Sequence, residues 1–274
     1  MKTIYQEKVL ILTPVKDAEV CLETYFKGLY RLAYPANLLS LGFLEGDSRD
    51  HTFTALQKRL PQLEQHFRVA TIWKKDFGYR IPPGKLRWNA EIQIQRRSVL
   101  AKSRNYLLSR ALNDEDWVLW LDVDVIDYPP DIVEKLLAAG KDIVHPNCVT
   151  HDGSSCYDLN AWRDRGKSNM NDLKKEGNLV KIHAVGGTML LIRADLHREG
   201  LIFPTFPYGK RNRLIRKTNL FYPAQRGDPL RFWLDRVRGK YAGEIETEGL
   251  GIMAHDIGHE CWGMPNLEIR HRDG

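Results

Sequence analysis

Residues 117–125 read Trp-Val-Leu-Trp-Leu-Asp-Val-Asp-Val. An apolar run with strand composition stops at Asp122-Val123-Asp124, and Pro129-Pro130 follow closely. The pattern predicts a buried strand over 118–125 with two carboxylates at its C-terminal end. In open α/β sheets, ligands bind at that end of the strands. Burying two like charges is costly unless a cation offsets them. Asp122 and Asp124 are therefore candidate ligands for a divalent metal. Two loop aspartates that only cap the next helix would read the same way.

Working outward, the first half alternates strand and helix. Strands are predicted over 9–13, 38–44, 69–73 and 118–125, with a short one opening at 142–145. Pro14 is expected to end the first. Helical spacing appears over 21–32, where Leu22, Tyr25, Phe26 and Leu29 share a face. It recurs from the Ser48–Asp50 region to about residue 60, over 92–112 and over 131–139. This order predicts a parallel sheet with crossover helices. The second half is less regular. Strands are expected at 180–184 and 188–193 around Gly186-Gly187, a loop over 200–230, a helix at 248–258 and a closing strand at 261–270. No linker or repeat divides the 274 residues, so one domain is expected.

Composition narrows the classes. Hydrophobic residues make up 43% of the chain, enough for a core, and no run of about 18 apolar residues reads as a membrane span. Met1 to Lys8 is polar and does not read as a signal peptide. A cytoplasmic or membrane-peripheral location is expected. Four cysteines in this length make no disulfide framework. The net charge of +6 is uneven: residues 209–240 hold ten Lys/Arg against Asp228 and Asp235. Such a segment suits a diphosphate, a charged acceptor or peripheral contact with an acidic membrane, or it is a solvated loop. No recognition helix or stacking motif accompanies it, so nucleic acid is not expected as a partner.

Three segments resemble a nucleotide-sugar glycosyltransferase of the GT-A fold: Ile11-Leu-Thr-Pro-Val-Lys-Asp17, Glu45-Gly-Asp-Ser-Arg-Asp50, and the run from Ala101-Lys-Ser-Arg-Asn105 to Asp122-Val-Asp124. More narrowly, the chain resembles the Anp1/Mnn9/Van1 mannosyltransferase family. Val9-Leu-Ile-Leu-Thr-Pro14, Phe43-Leu-Glu-Gly-Asp-Ser48, Arg104-Asn-Tyr-Leu-Leu108, Tyr128-Pro-Pro130 and His145-Pro-Asn147 carry the likeness. Glu248-Gly-Leu-Gly-Ile-Met253 and Cys261-Trp-Gly-Met-Pro-Asn266 complete it. The collinear set runs from about Val9 to His271. Fungal members resemble this core with an N-terminal membrane anchor added. The resemblance implies a GT-A, Rossmann-like domain with a mixed, mostly parallel sheet flanked by helices. Residues 1–147 would form the nucleotide-binding half and 148–274 the acceptor half.

The same resemblance implies a retaining, metal-dependent mannosyltransferase that takes GDP-mannose as donor and a glycan or glycolipid as acceptor. The same fold with a UDP-sugar, or a non-catalytic sugar-binding subunit of a glycosyltransferase complex, are the alternatives. Mn²⁺ or Mg²⁺ would bridge the diphosphate oxygens and offset their growing charge. Asp124 is expected on the metal, and Asp122 on the metal or the ribose. The resemblance implies His271 as a third ligand, although a His near a chain end is otherwise often a frayed tail. Thr13, Pro14 and Asp17, after the first strand, would hold the nucleotide, and Asp47 would contact base or ribose. Bland readings of these are a Pro-terminated loop and an Asx-turn.

Arg104 would reach the diphosphate or pair with Asp122. Gly186 and Gly187 would lie near donor sugar and acceptor, giving close backbone approach or positive φ. Glu246 and Glu248 resemble the acceptor-side acid. Glu248 is the candidate to bond an acceptor hydroxyl or the donor sugar, unless it merely complements a helix dipole. His145, Cys148, His151 and Cys156 fit no common zinc template. His255 and His259 lack the Glu of a zincin pattern.

Overall fold

The structure is a computed structural model that describes residues 6–87, 89–209 and 243–272. Strands β1 (Val9–Val15), β2 (Leu39–Glu45), β3 (Val69–Lys74) and β4 (Trp117–Leu121) lie parallel in the order β3-β2-β1-β4. Helices α1 (Glu19–Tyr30), α2 (Thr52–His66) and α3 (Gln93–Ala111) connect them. After β4 come β5 (Val125–Asp127), α4 (Ile132–Ala138), β6 (Ile143–Val149), the small β7 (Trp162–Arg163) and β8 (Ser168–Asn169) pair, and β9 (Val180–Ile182). The chain continues through β10 (Met189–Arg193), α5 (Ala194–Arg198), α6 (Glu246–Asp256) and β11 (Cys261–His271). The sheet extends as β4-β10-β6-β11-β5, with β9 also on β11. β10 is antiparallel to both β4 and β6, so the sheet is mixed and mostly parallel.

The period-2 alternation of a strand builds two cores from one sheet. Val9 and Ile11 join Leu22, Tyr25, Phe26 and Leu29 of α1 on one face. Leu10 and Leu12 join Ala101, Leu107 and Leu108 of α3 on the other. Both faces being covered explains why these strands read as continuous apolar runs.

Three boundaries differ from expectation. β1 continues through Pro14, which pairs with Leu44, to Val15. Its ladder with β4 stops at Leu12, so no partner on that side needs the N–H that proline lacks. α2 runs through Pro61 to His66. Leu56 and Leu63 bury the helix on both sides of the proline, and packing outweighs one lost backbone bond. The strand expected over 118–125 is two strands. β4 ends at Leu121, the aspartates occupy a turn closed by Val125 N–H on the Asp122 carbonyl (3.2 Å), and β5 pairs with β11 at the far edge. Among the described residues no helix is long and apolar enough to cross a membrane.

Candidate active site

The turn between β4 and β5 holds the two aspartates at the C-terminal edge of the sheet. The Asp122 amide donates to the Thr188 carbonyl at 2.9 Å, fixing the turn against the start of β10. β11 brings His271 opposite Val125, and the Arg272 amide donates to the Asp124 carbonyl at 2.9 Å. His271 is thus locked in a strand at 3% exposure, not frayed. Its Nε2 lies 2.9 Å from Asp124 Oδ1. Its Nδ1 meets the Arg272 carbonyl, which can only accept, so Nδ1 carries hydrogen. Tyr157 stacks on the imidazole at 3.7 Å between centroids.

Two cavities of about 430 and 420 Å³ meet at this turn. Both are lined by Asp122, Asp124, Arg87, Arg96, Leu100 and Arg104. The first extends toward Asp158, Gly187, Thr188, Glu246 and His271. The second extends toward Pro14, Asp17, Asp47, Phe77 and Tyr79. They form one cleft with the aspartates at its waist.

Arg104 is the hub of that waist. It donates from Nη2 to Asp122 Oδ1 (3.0 Å) and the Gly187 carbonyl (3.3 Å), and from Nε to Glu246 Oε1 (3.0 Å). It also lies 5.4 Å from the ring centres of Trp120 and Phe203. Its Nη1 is buried with no hydrogen-bond partner among the described residues. Burial pushes the Asp122 carboxyl up to about 6; Arg104 opposes the shift and Asp124 adds to it. Its side chain keeps 29% of its surface open to the cleft. Burial also works against the Asp124 charge, but His271 holds that carboxyl below its ordinary value. For His271, burial disfavours the imidazolium and the Asp124 carboxylate outweighs it, raising the pKa.

Gly186 and Gly187 are required for closeness, since neither has positive φ. A Cβ on Gly186 would lie 2.0 Å from Asp158 Oδ2, and one on Gly187 would lie 2.6 Å from Arg104 Nη2. Asp158 Oδ2 accepts from the Gly187 amide (3.0 Å), the Thr188 amide (3.2 Å) and the Thr188 hydroxyl (2.9 Å). His145 Nε2 stands 3.5 Å from the same oxygen. Burial opposes the Asp158 charge, yet His145 and Thr188 hold the carboxyl well below the usual range.

The structure places two of the expected side chains away from the cleft. The Thr13 hydroxyl turns into the core to bond Tyr25 at 2.5 Å, because alternation along β1 points it away from the cleft. Glu248 is fully buried one helical step from the wall. It accepts from Arg97 Nη1 at 2.6 Å and from the Trp162 indole. Glu246, at the N-terminus of α6 with φ of 58°, is the acid that lines the cleft. Asp17 and Asp47 also have positive φ, 47° and 60°, and both line the second cavity. Backbone strain of this kind gathers where a site over-determines its residues.

Several wall residues escape a sequence reading. Arg87 bonds the Tyr157 hydroxyl, and neither it nor Arg96 has a carboxylate partner among the described residues. An arginine doublet on an amphipathic helix reads as a solvated face, so Arg96 gives no separate signal. Tyr157 and Asp158 sit in an irregular segment with no period to place them. His145, Cys148, His151 and Cys156 do not converge: His145 and Cys148 are buried in β6, while His151 is exposed. Among the described residues no group of three or more His, Cys, Asp or Glu is placed to hold a metal ion, Asp122, Asp124 and His271 included. The basic stretch at 209–240 lies, but for Gly209, outside the described residues.

A β3-β2-β1-β4 parallel half, an antiparallel β10 and a β11 that returns to the aspartate turn define a GT-A glycosyltransferase fold. Staphylococcus aureus TarS 1–349 in complex with UDP-GlcNAc shares the architecture, with a TM-score of 0.54 and 11% identity over 97% of this chain and 59% of that one. The Anp1 family model matches residues 2–176, and the chain belongs to the Anp1 family. It is 27% identical to the mannan polymerase II complex anp1 subunit of Schizosaccharomyces pombe, over 97% of this chain and 64% of that protein. It is also 27% identical to the mannan polymerase complex subunit mnn9 of the same yeast, over 98% of this chain and 81% of that protein.

Proposed function

We propose that the chain is a metal-dependent glycosyltransferase that moves mannose from GDP-mannose to a glycan or glycolipid acceptor, retaining the anomeric configuration. The observation that carries this is the waist of the cleft. Two carboxylates and an imidazole face a guanidinium cluster, and Arg87 and Arg96 lack carboxylate partners there. Half-buried guanidinium groups with no carboxylate at salt-bridge distance fit a ligand that brings its own negative charge, as a nucleoside diphosphate does. GDP as the nucleotide and mannose as the sugar rest on family membership and on the names of the yeast relatives. The same site with a UDP-sugar is the nearer alternative. Because the relatives are subunits of complexes, activity through a partner subunit belongs to the same proposal.

The side chains fit a metal that substrate completes. Asp122, Asp124 and His271 Nε2 offer hard oxygen and imidazole donors suited to Mn²⁺ or Mg²⁺, and the Arg272 carbonyl fixes the imidazole tautomer. A cation held by these side chains would offset the charge that builds on the departing diphosphate. Arg104 keeps Asp122 ionised and placed. Arg87 and Arg96 take phosphate oxygens. The first cavity, walled by Asp158 and Glu246, receives sugar and acceptor, and the second receives the nucleoside. This divides one domain into a nucleotide half and an acceptor half. Asp158 and Glu246 spend their carboxylates on backbone amides and arginines, which leaves neither free as a nucleophile. Retention then follows from same-face transfer. The acceptor oxygen bonds the anomeric carbon as the carbon–phosphate oxygen bond breaks, and the departing phosphate oxygen takes the acceptor proton.

The test is transfer from GDP-mannose with Mn²⁺ by wild-type protein and by Asp122→Asn and Asp124→Asn. Each variant is expected to lose about 100-fold or more in kcat with an unchanged circular dichroism spectrum. Near-normal turnover in the double variant would remove the site from consideration.

A further inference from the structure

We propose that Tyr79 supplies the hydroxyl that recognises the nucleoside part of the donor, and that Asp47 acts at one remove, as the brace of the loop that carries it. The inference rests on the nucleotide reading above and assigns a group within it. Tyr79 forms part of the wall of the second cavity and is 9% exposed. Its hydroxyl is buried and has no hydrogen-bond partner among the described residues. Buried hydroxyls are normally paired, and one left unpaired at a cavity wall marks the place where a ligand atom completes the bond. Tyr79 lines the second cavity and not the first, and Arg96 of the waist is near enough to act on its hydroxyl. With Pro14, Asp17 and Asp47 on the same wall, this assigns the hydroxyl to the nucleoside end of the donor, where it adjoins the diphosphate.

Asp47 is the residue a sequence reading puts on the base or ribose, but both of its carboxylate oxygens are engaged by the loop. Oδ2 accepts from the Phe77 amide at 2.9 Å and Oδ1 from the Gly78 amide at 3.0 Å. Its own amide donates to Asp76 Oδ1 at 2.7 Å. On the other side, Lys16 Nζ donates to the Tyr79 carbonyl at 2.8 Å. The left-handed conformation at Asp47, with φ of 60°, aims its carboxylate at these amides. Four hydrogen bonds from the ends of β1 and β2 therefore hold residues 76–79. What the loop presents to the cavity is the Phe77 ring and Tyr79. One amide bond on each oxygen fixes the direction of the Asp47 carboxylate toward the loop, whereas the Tyr79 phenol has both its donor and its lone pairs to offer. Asp47 is a positioning residue, and Tyr79 is the contact.

Isothermal titration of Mn²⁺-loaded protein with GDP, UDP and pyrophosphate separates the possibilities. Tyr79→Phe removes only the oxygen. It is expected to weaken the nucleoside diphosphate that wild-type protein binds by about five- to tenfold, the usual weight of one hydrogen bond. Pyrophosphate affinity is expected to stay the same. Asp47→Asn is expected to weaken the nucleotide as well, and the double variant to lose no more than the worse single variant, because both act through one contact. Equal nucleotide affinity in Tyr79→Phe and wild type would overturn the assignment. An equal loss for pyrophosphate would move the hydroxyl to the diphosphate and overturn its nucleoside role. Additive losses would overturn the brace. Wild-type protein that binds pyrophosphate but neither nucleotide would instead bring down the nucleotide reading beneath it.

Discussion

Arg96 and Arg97 are adjacent on α3 and have opposite tasks. Arg97 is buried against a fully buried Glu248, and its Nη2 also donates to the Ile245 carbonyl at 2.6 Å. Removing it takes a cationic partner from a buried carboxylate, which costs about 3 kcal/mol. Arg96 lines both cavities without a carboxylate partner among the described residues. Burial and the nearby Arg87 lower its pKa, so its charge is disfavoured in the protein by itself. Arg96→Gln is therefore expected to leave stability equal or slightly raised while weakening nucleoside diphosphate binding about tenfold or more. Arg97→Met is expected to lower stability by the amount above and to shift ligand affinity little in the protein that remains folded. Urea unfolding and calorimetric titration of both variants check the split. A matched loss of stability in both would return Arg96 to a structural role. From sequence the doublet cannot be divided, because a helix of 3.6 residues per turn rotates neighbours by 100° and only the packed helix says which one meets Glu248.

The elements around the aspartates were legible in proportion to their regularity. β1, β2, β3, β4 and α3 stand out because both sheet faces are covered and the crossover helix keeps one apolar stripe. The turn at Asp122–Asp124 is marked by the sudden loss of apolar residues. The second half gave less. Asp158 reaches the site through a hairpin and its partners lie 29 and 30 residues away on the Gly187–Thr188 corner, a separation with no local pattern. Glu246 and Glu248 look equivalent in sequence. Their division into wall and core depends on the strained φ at Glu246, which only the packed α6 imposes. The glycine pair was visible, but its reason was not. Space is what it supplies, and Gly186→Ala is expected to push Asp158 off the Gly187 and Thr188 amides. A loss of about 2 kcal/mol or more by thermal unfolding would accompany that displacement, whereas an unaffected melting temperature would show that the corner yields freely.

The whole molecule carries a buried histidine beneath β4. His197 Nδ1–H donates to the Leu201 carbonyl at 2.7 Å, and its Nε2 faces the Trp120 indole at 3.4 Å, two residues before Asp122. Burial drops its pKa to about 4 from an ordinary 6.5, against a small rise from Leu201. Between these values the unfolded chain binds the proton and the folded chain does not. The contribution is therefore present above about pH 6.5 and is lost as pH falls toward 4, amounting to about 3 kcal/mol at the bottom. Denaturant midpoints across this range are expected to fall more steeply for wild type than for His197→Gln. The difference between the two isolates the histidine from carboxylates such as Asp122 that titrate in the same window. Parallel curves would show that His197 is solvated.

Binding of a nucleoside diphosphate in the cleft through a metal at Asp122, Asp124 and His271 is tested most directly by a thermal-shift titration. GDP, UDP and CDP would each be added with Mn²⁺, Mg²⁺ or EDTA to wild type and to Asp124→Asn. Ligand at about 100 times its Kd stabilises the native state by about 2.7 kcal/mol, or roughly 5–10 °C for a chain of this size. The expected result is such a rise for GDP with Mn²⁺, abolished by EDTA and by Asp124→Asn. A rise with UDP alone would keep the site and replace the donor. No rise with any nucleotide, or the same rise in EDTA, would contradict the metal-held diphosphate.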